Sequence, residues 1–77
     1  MDEERARLAA LTVFRDVVGV PDMQPEDDFF ALGGDSAKAV EIAMALSDEL
    51  DCEISPNAIL LHPSASMLAQ EIARHAC

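Results

Sequence analysis

Between Asp35 and Asp51 the apolar residues Ala39, Ile42, Ala43, Leu46 and Leu50 recur at steps of three and four. That spacing is the inward face of an α-helix beginning at Asp35 or Ser36 and running to about Leu50. The chain that contains it has 77 residues, three Phe and neither Trp nor Tyr, so its core must be aliphatic. A supply of Ala, Leu, Ile, Val and Met favours packed helices over a sheet of β-branched and aromatic strands. This length allows one small domain, which buries about three fifths of the surface its unfolded chain exposes. It leaves no room for a deep active-site cleft.

The rest of the chain divides around that central helix. Asp2 is a cap residue for a first helix whose opening turn carries Glu3 and Glu4, where the helix dipole favours negative charge. Ala10, Val13, Phe14 and Val17 follow at helical spacing, widened by Leu11 and Val18, and Gly19 and Pro21 end the element. Pro21 to Asp35 is a long, mostly irregular connection. Asp27 or Asp28 starts a single turn there, and one of Phe29 and Phe30 pins the loop to the core. Ser55-Pro56 opens a short third helix through Ala58, Ile59 and Leu61, closed by His62-Pro63. Ser64 or Ser66 caps a last helix through Met67, Leu68, Ile72 and Ala76. The expectation is an all-α fold: a small four-helix bundle with a long first loop and a short third helix, residues 1–77 forming one domain.

The formal net charge of −10 is concentrated between Asp16 and Glu53, where eleven acidic residues face the single basic Lys38. Such a field repels nucleic acid and anionic lipid and steers basic protein partners toward the middle of the chain. No apolar run approaches membrane-spanning length, and the acidic start Met1-Asp2-Glu3-Glu4 is unlike a signal or transit peptide, so a cytoplasmic location is expected. Cys52 and Cys77 do not make a disulfide framework and are read as free thiols.

Gly33-Gly34-Asp35-Ser36 sets one serine behind a glycine pair at a helix start. Glycines let the backbone turn tightly and let another surface approach closely. A nucleotide-binding loop is a poor reading, since no Lys-Ser/Thr, preceding strand or further glycine accompanies them. His62 and His75 have no Cys or His partner at ligand spacing, and Asp22, Glu26, Asp27 and Asp28 match a calcium loop in composition alone, so no metal site is expected. Ser36 taken by itself reads as a helix cap. Its other reading is a tether point, since a bare serine hydroxyl has no special reactivity and its value depends on exposure and on what a partner enzyme brings to it. Val40 and Met44, one turn apart beside the core stripe, are balanced between packing and an exposed apolar strip for partners.

The stretch Asp28-Phe29-Phe30-Ala31-Leu32-Gly33-Gly34-Asp35-Ser36 resembles the attachment motif of peptidyl carrier proteins. These are the thiolation domains of nonribosomal peptide synthetases, part of the acyl-carrier-like, phosphopantetheine-binding family. Leu61-His62-Pro63-Ser64 sits where that family shows an apolar residue, any residue, Pro, and Thr or Ser before the last helix. The glycine pair is more like peptidyl or aryl carriers than fatty-acid or polyketide acyl carriers.

The resemblance implies an acyl-carrier-like bundle in which Ser36 receives a covalent 4'-phosphopantetheine arm from coenzyme A, with Gly33, Gly34 and Asp35 as supporting motif residues. It implies a non-catalytic phosphoprotein that holds aminoacyl or peptidyl cargo as a thioester. A phosphopantetheinyl transferase would modify it, an adenylating enzyme would load it, and condensation, tailoring or thioesterase enzymes would use it. Ala37, where the family usually has a large aliphatic, joins Val40 and Met44 as a docking candidate, and Asp51 stands near where the family usually ends its second helix with glycine. A monomer is expected, with no nucleic-acid or membrane partner. The alternatives are an acyl or aryl carrier of a polyketide, fatty-acid or siderophore pathway, and an acidic helical interaction module with Ser36 as a mere cap.

Overall fold

The protein is described over residues 2–76 from a computed structural model. Among the described residues four α-helices follow in order: α1 over Glu3–Val18, α2 over Ser36–Leu50, α3 over Pro56–Leu61 and α4 over Ala65–Glu71, which runs into a π-helical turn over Ile72–Ala76. No strand is present among the described residues. α1 packs along α4 and α2, and α3 packs against α2. The expected all-α bundle with a long first connection and a short third helix is what forms.

Each boundary has a local cause. Gly19 stops α1 by taking the left-handed region at φ 80°, its N–H donating to the Arg15 carbonyl at 2.9 Å. Asp2 stands at the start of α1, but its side chain makes no capping hydrogen bond, contrary to expectation. Asp51 ends α2 in the left-handed region at φ 52°, doing the work of a glycine at some conformational cost. Ser55 accepts from the Asn57 N–H at 3.1 Å and Pro56 fills the first helical position of α3. Of the two serines considered for α4, Ser64 is the cap, accepting from the Met67 N–H at 3.2 Å. Ser66 instead donates its hydroxyl to Glu26 at 3.1 Å, and its N–H goes to the Pro25 carbonyl at 2.9 Å.

The α2 stripe is buried in full: Ala39, Ile42, Ala43, Leu46 and Leu50 share one core with Ala6, Ala10, Leu11, Val13 and Phe14 of α1 and with Leu68, Ala69 and Ile72 at the other end of the chain. Burial of that apolar surface is the main stabilising term. The connection over residues 19–35 is irregular but anchored. Met23 and Phe29 are fully buried in it, and Phe29 stacks on Phe14 with ring centroids 5.6 Å apart. Arg15 Nε donates to the Met23 carbonyl at 2.8 Å, tying the loop to α1. At the far end of α2, Ser47 Oγ donates to the Ala43 carbonyl at 2.6 Å and accepts from the Ile54 N–H at 3.0 Å, so one hydroxyl fixes the turn into α3.

Cys52 is disulfide-bonded, which corrects the reading of a free thiol. Cys77 lies outside the described residues.

Candidate functional site

The segment that delivers Ser36 is folded by its own backbone. Asp28 Oδ1 accepts from the Phe30 N–H at 2.7 Å, making the turn through the Phe pair that was expected at Asp27 or Asp28. Phe29 then donates its N–H to the Pro63 carbonyl at 2.7 Å, so the loop is fastened to the corner between α3 and α4. Gly33 N–H returns to the Phe30 carbonyl at 3.2 Å and Gly34 N–H to the Phe29 carbonyl at 2.9 Å. Gly33 sits at φ 99°, a conformation that only glycine adopts without strain. Gly34 lies outside that region.

Asp35 follows in extended backbone at φ −149°, and its Oδ1 accepts from the Lys38 N–H at 2.8 Å. Asp35 is therefore the cap of α2. Ser36, for which capping was the plain reading, is instead the first helical residue, and its side chain is exposed. Among the described residues neither the Ser36 hydroxyl nor the N–H groups of Ser36 and Ala37 have a protein hydrogen-bond partner. The site is thus a primary hydroxyl at a helix N-terminus with unpaired donors beside it, an arrangement suited to hold an anionic phosphodiester. The Asp35 carboxylate is the opposing charge, and Lys38 Nζ lies 3.8 Å from its Oδ2.

The remaining candidates fall along the same face of the molecule's middle helix. Ala37 is exposed, Val40 is 43% exposed and Met44 67% exposed, so the balance between packing and an exposed strip resolves toward exposure. Met44 borders a shallow groove with Ala43, Ser47, Asp48, Ile54 and Pro56. Phe30 in the loop and Leu61 at the end of α3 are also exposed. His62 is not part of any metal cluster among the described residues; it closes α3 with its N–H on the Ala58 carbonyl, and its Nε2 lies 3.6 Å from Glu71. Of the four loop acids, Asp27 and Asp28 accept local hydrogen bonds from the Gln24 and Phe30 N–H groups, and Glu26 accepts one from the Ser66 hydroxyl of α4.

The phosphopantetheine attachment site family matches residues 9–72. Across 73 residues, 95% of this chain, the sequence is 34% identical to tyrocidine synthase 3 of Brevibacillus parabrevis, spanning about 1% of that protein's length. A solved structure described as a nonribosomal PCP domain superposes with a TM-score of 0.76 at 31% identity, covering 91% of this chain and 87% of that one. BlmI, a type-II acyl carrier protein from Streptomyces verticillus, superposes with a TM-score of 0.86 over 92% of this chain and 86% of its own; at 21% identity it attests the fold. The resemblance to peptidyl carrier proteins is borne out. With a family match that takes in both the glycine-bounded serine and the apolar ladder behind it, this chain belongs to the phosphopantetheine attachment site family, non-catalytic carrier proteins to which 4'-phosphopantetheine is covalently bound.

Proposed function

We propose that the chain is a single peptidyl carrier domain in which Ser36 Oγ is the attachment point for the 4'-phosphopantetheine arm, and that aminoacyl or peptidyl groups are its cargo. The observation that carries this is the division of labour at the start of α2: Asp35 makes the capping bond, and the Ser36 hydroxyl stays exposed and uncommitted. The arm, when present, supplies a terminal thiol for thioester formation. This chain's part is to hold the serine where a partner enzyme reaches it and to offer the Ser36 and Ala37 N–H groups to the phosphodiester. Tethering then raises the effective concentration of cargo at each successive enzyme.

The partners in this reading are a phosphopantetheinyl transferase, an adenylating enzyme, and condensation, tailoring or thioesterase enzymes. Ala37, Val40 and Met44 form their apolar contact, and the acidic field between Asp16 and Glu53 favours basic partner surfaces. The domain acts as a cytoplasmic monomer. The test is incubation with coenzyme A, magnesium and a broad-specificity phosphopantetheinyl transferase, followed by intact mass. One added arm, located at Ser36 and absent from Ser36→Ala, is the expected result. An unmodified mass beside an active control protein counts against the assignment.

A further inference from the structure

Gly34 and Phe29 are pressed together in a way that neither the cap nor the exposed hydroxyl accounts for. A Cβ placed on Gly34 would lie 2.5 Å from Phe29 Cε1 and 2.6 Å from both Cδ1 and Cζ, closer than carbon atoms approach. The obstruction is not a flexible side-chain end. Phe29 is fully buried, stacked on Phe14 and tilted against Phe30 with ring centroids 5.2 Å apart, and its N–H is bound to Pro63. The ring cannot swing away, so a side chain at residue 34 must displace the backbone on the exposed side. That backbone leads directly into Asp35 and Ser36.

Gly33 differs. A Cβ there meets no atom within 4 Å, and what it demands is the left-handed φ. The two glycines therefore do separate jobs, Gly33 for the turn and Gly34 for close approach, and the surface that approaches is the protein's own Phe29.

We propose that Phe29 is a positioning residue for Ser36, acting through the absent side chain of Gly34: the ring face sets how near the start of α2 lies to the core and hence where the Ser36 hydroxyl is presented. This rests on Ser36 being the attachment point. It predicts an asymmetry between the glycines that a general need for flexibility does not. Phe29→Leu removes Cε1 and Cζ and replaces the rigid ring edge at Cδ1 with a methyl group that can rotate away, and so makes room for a methyl group at residue 34 without relieving a strained φ at residue 33.

The experiment measures kcat and KM for transfer from coenzyme A to Ser36 in the wild type, Gly34→Ala, Gly33→Ala, Phe29→Leu and the two double variants. Amide hydrogen exchange at Lys38 reports the cap in each. Gly34→Ala is expected to lower kcat/KM roughly tenfold to a hundredfold, the scale of a misplaced reacting group, and to speed exchange at Lys38. Phe29→Leu/Gly34→Ala should return to the rate of Phe29→Leu alone, whereas Phe29→Leu/Gly33→Ala should gain nothing over Gly33→Ala. Wild-type kinetics in Gly34→Ala overturn the proposal, as does a double variant no better than Gly34→Ala, or equal rescue at both glycines. If Gly34→Ala fails to fold, a folded and modified double variant supports the proposal and an unfolded one overturns it. A wild-type protein that is never modified at Ser36 overturns the attachment reading and this inference with it; modification at Ser36 with no rescue overturns this inference alone.

Discussion

Asp35 and Lys38 are joined twice across the first turn of α2: Asp35 Oδ1 accepts the Lys38 backbone N–H at 2.8 Å, and Asp35 Oδ2 lies 3.8 Å from Lys38 Nζ. The first contact caps the helix, and the second brings the only basic side chain between Asp16 and Glu53 beside the acid nearest Ser36. The backbone bond is the part that matters for stability. The side-chain pair is an exposed i,i+3 contact, and such pairs contribute little.

Asp35→Ala should therefore destabilise the domain by about 1 kcal/mol, the usual cost of losing a cap. In a domain of this size that lowers Tm by roughly 4–8 °C. Asp35→Asn keeps the capping oxygen and should stay near the wild-type Tm. Thermal unfolding followed by circular dichroism separates the two, and equal losses in both variants would assign the effect to charge rather than to the cap.

Ser36→Ala should leave stability within about 0.5 kcal/mol, because the hydroxyl makes no bond that the fold uses. Modification should vanish while the melting curve stays in place. A drop in Tm comparable to that of Asp35→Ala would return Ser36 to the role of a cap.

What could be read from the sequence follows a simple physical divide. Where the backbone is periodic, side-chain spacing reports burial, and Ala39, Ile42, Ala43, Leu46 and Leu50 are all inside as their spacing requires. In the connection over residues 19–35 there is no period to read. Met23 is fully buried there, yet a single Met between Asp22 and Gln24 carries no sequence signal, and neither does the Arg15 bond to its carbonyl. The motif Gly33-Gly34-Asp35-Ser36 could be located but its two adjacent cap-forming residues could not be ranked, since Asp and Ser are about equally good caps. Asp2 makes the same point from the other side: it has the right residue type and place, and makes no capping bond. Ser47 lies on the flank of a core stripe, where its role depends on Ile54 arriving from seven residues further along.

That arrangement gives Ser47→Ala a definite cost. The Ile54 N–H loses its acceptor in a residue that is only 6% exposed. An unpaired buried donor costs about 1–3 kcal/mol, more than the loss of an exposed hydrogen bond. Urea unfolding should show a lower midpoint with an unchanged slope, and a midpoint equal to wild type would mean that water replaces the serine freely.

The exposed strip on α2 can be tested apart from the core because its residues alternate with buried ones. Met44 is 67% exposed and Val40 43% exposed, whereas Ile42 between them is fully buried. Met44→Glu should change folding free energy by no more than about 0.5 kcal/mol, as exposed substitutions generally do. Ile42→Glu should be severely destabilising, since it places an unpaired charge in an aliphatic core. If Val40 and Met44 are partner contacts, Met44→Glu should keep the wild-type melting curve and accept the arm at Ser36, yet be loaded more slowly by a cognate adenylating enzyme, with the defect in KM before kcat. Wild-type loading kinetics in a fully folded Met44→Glu variant would remove Met44 from the docking surface, and a large fall in Tm would contradict the exposed position itself.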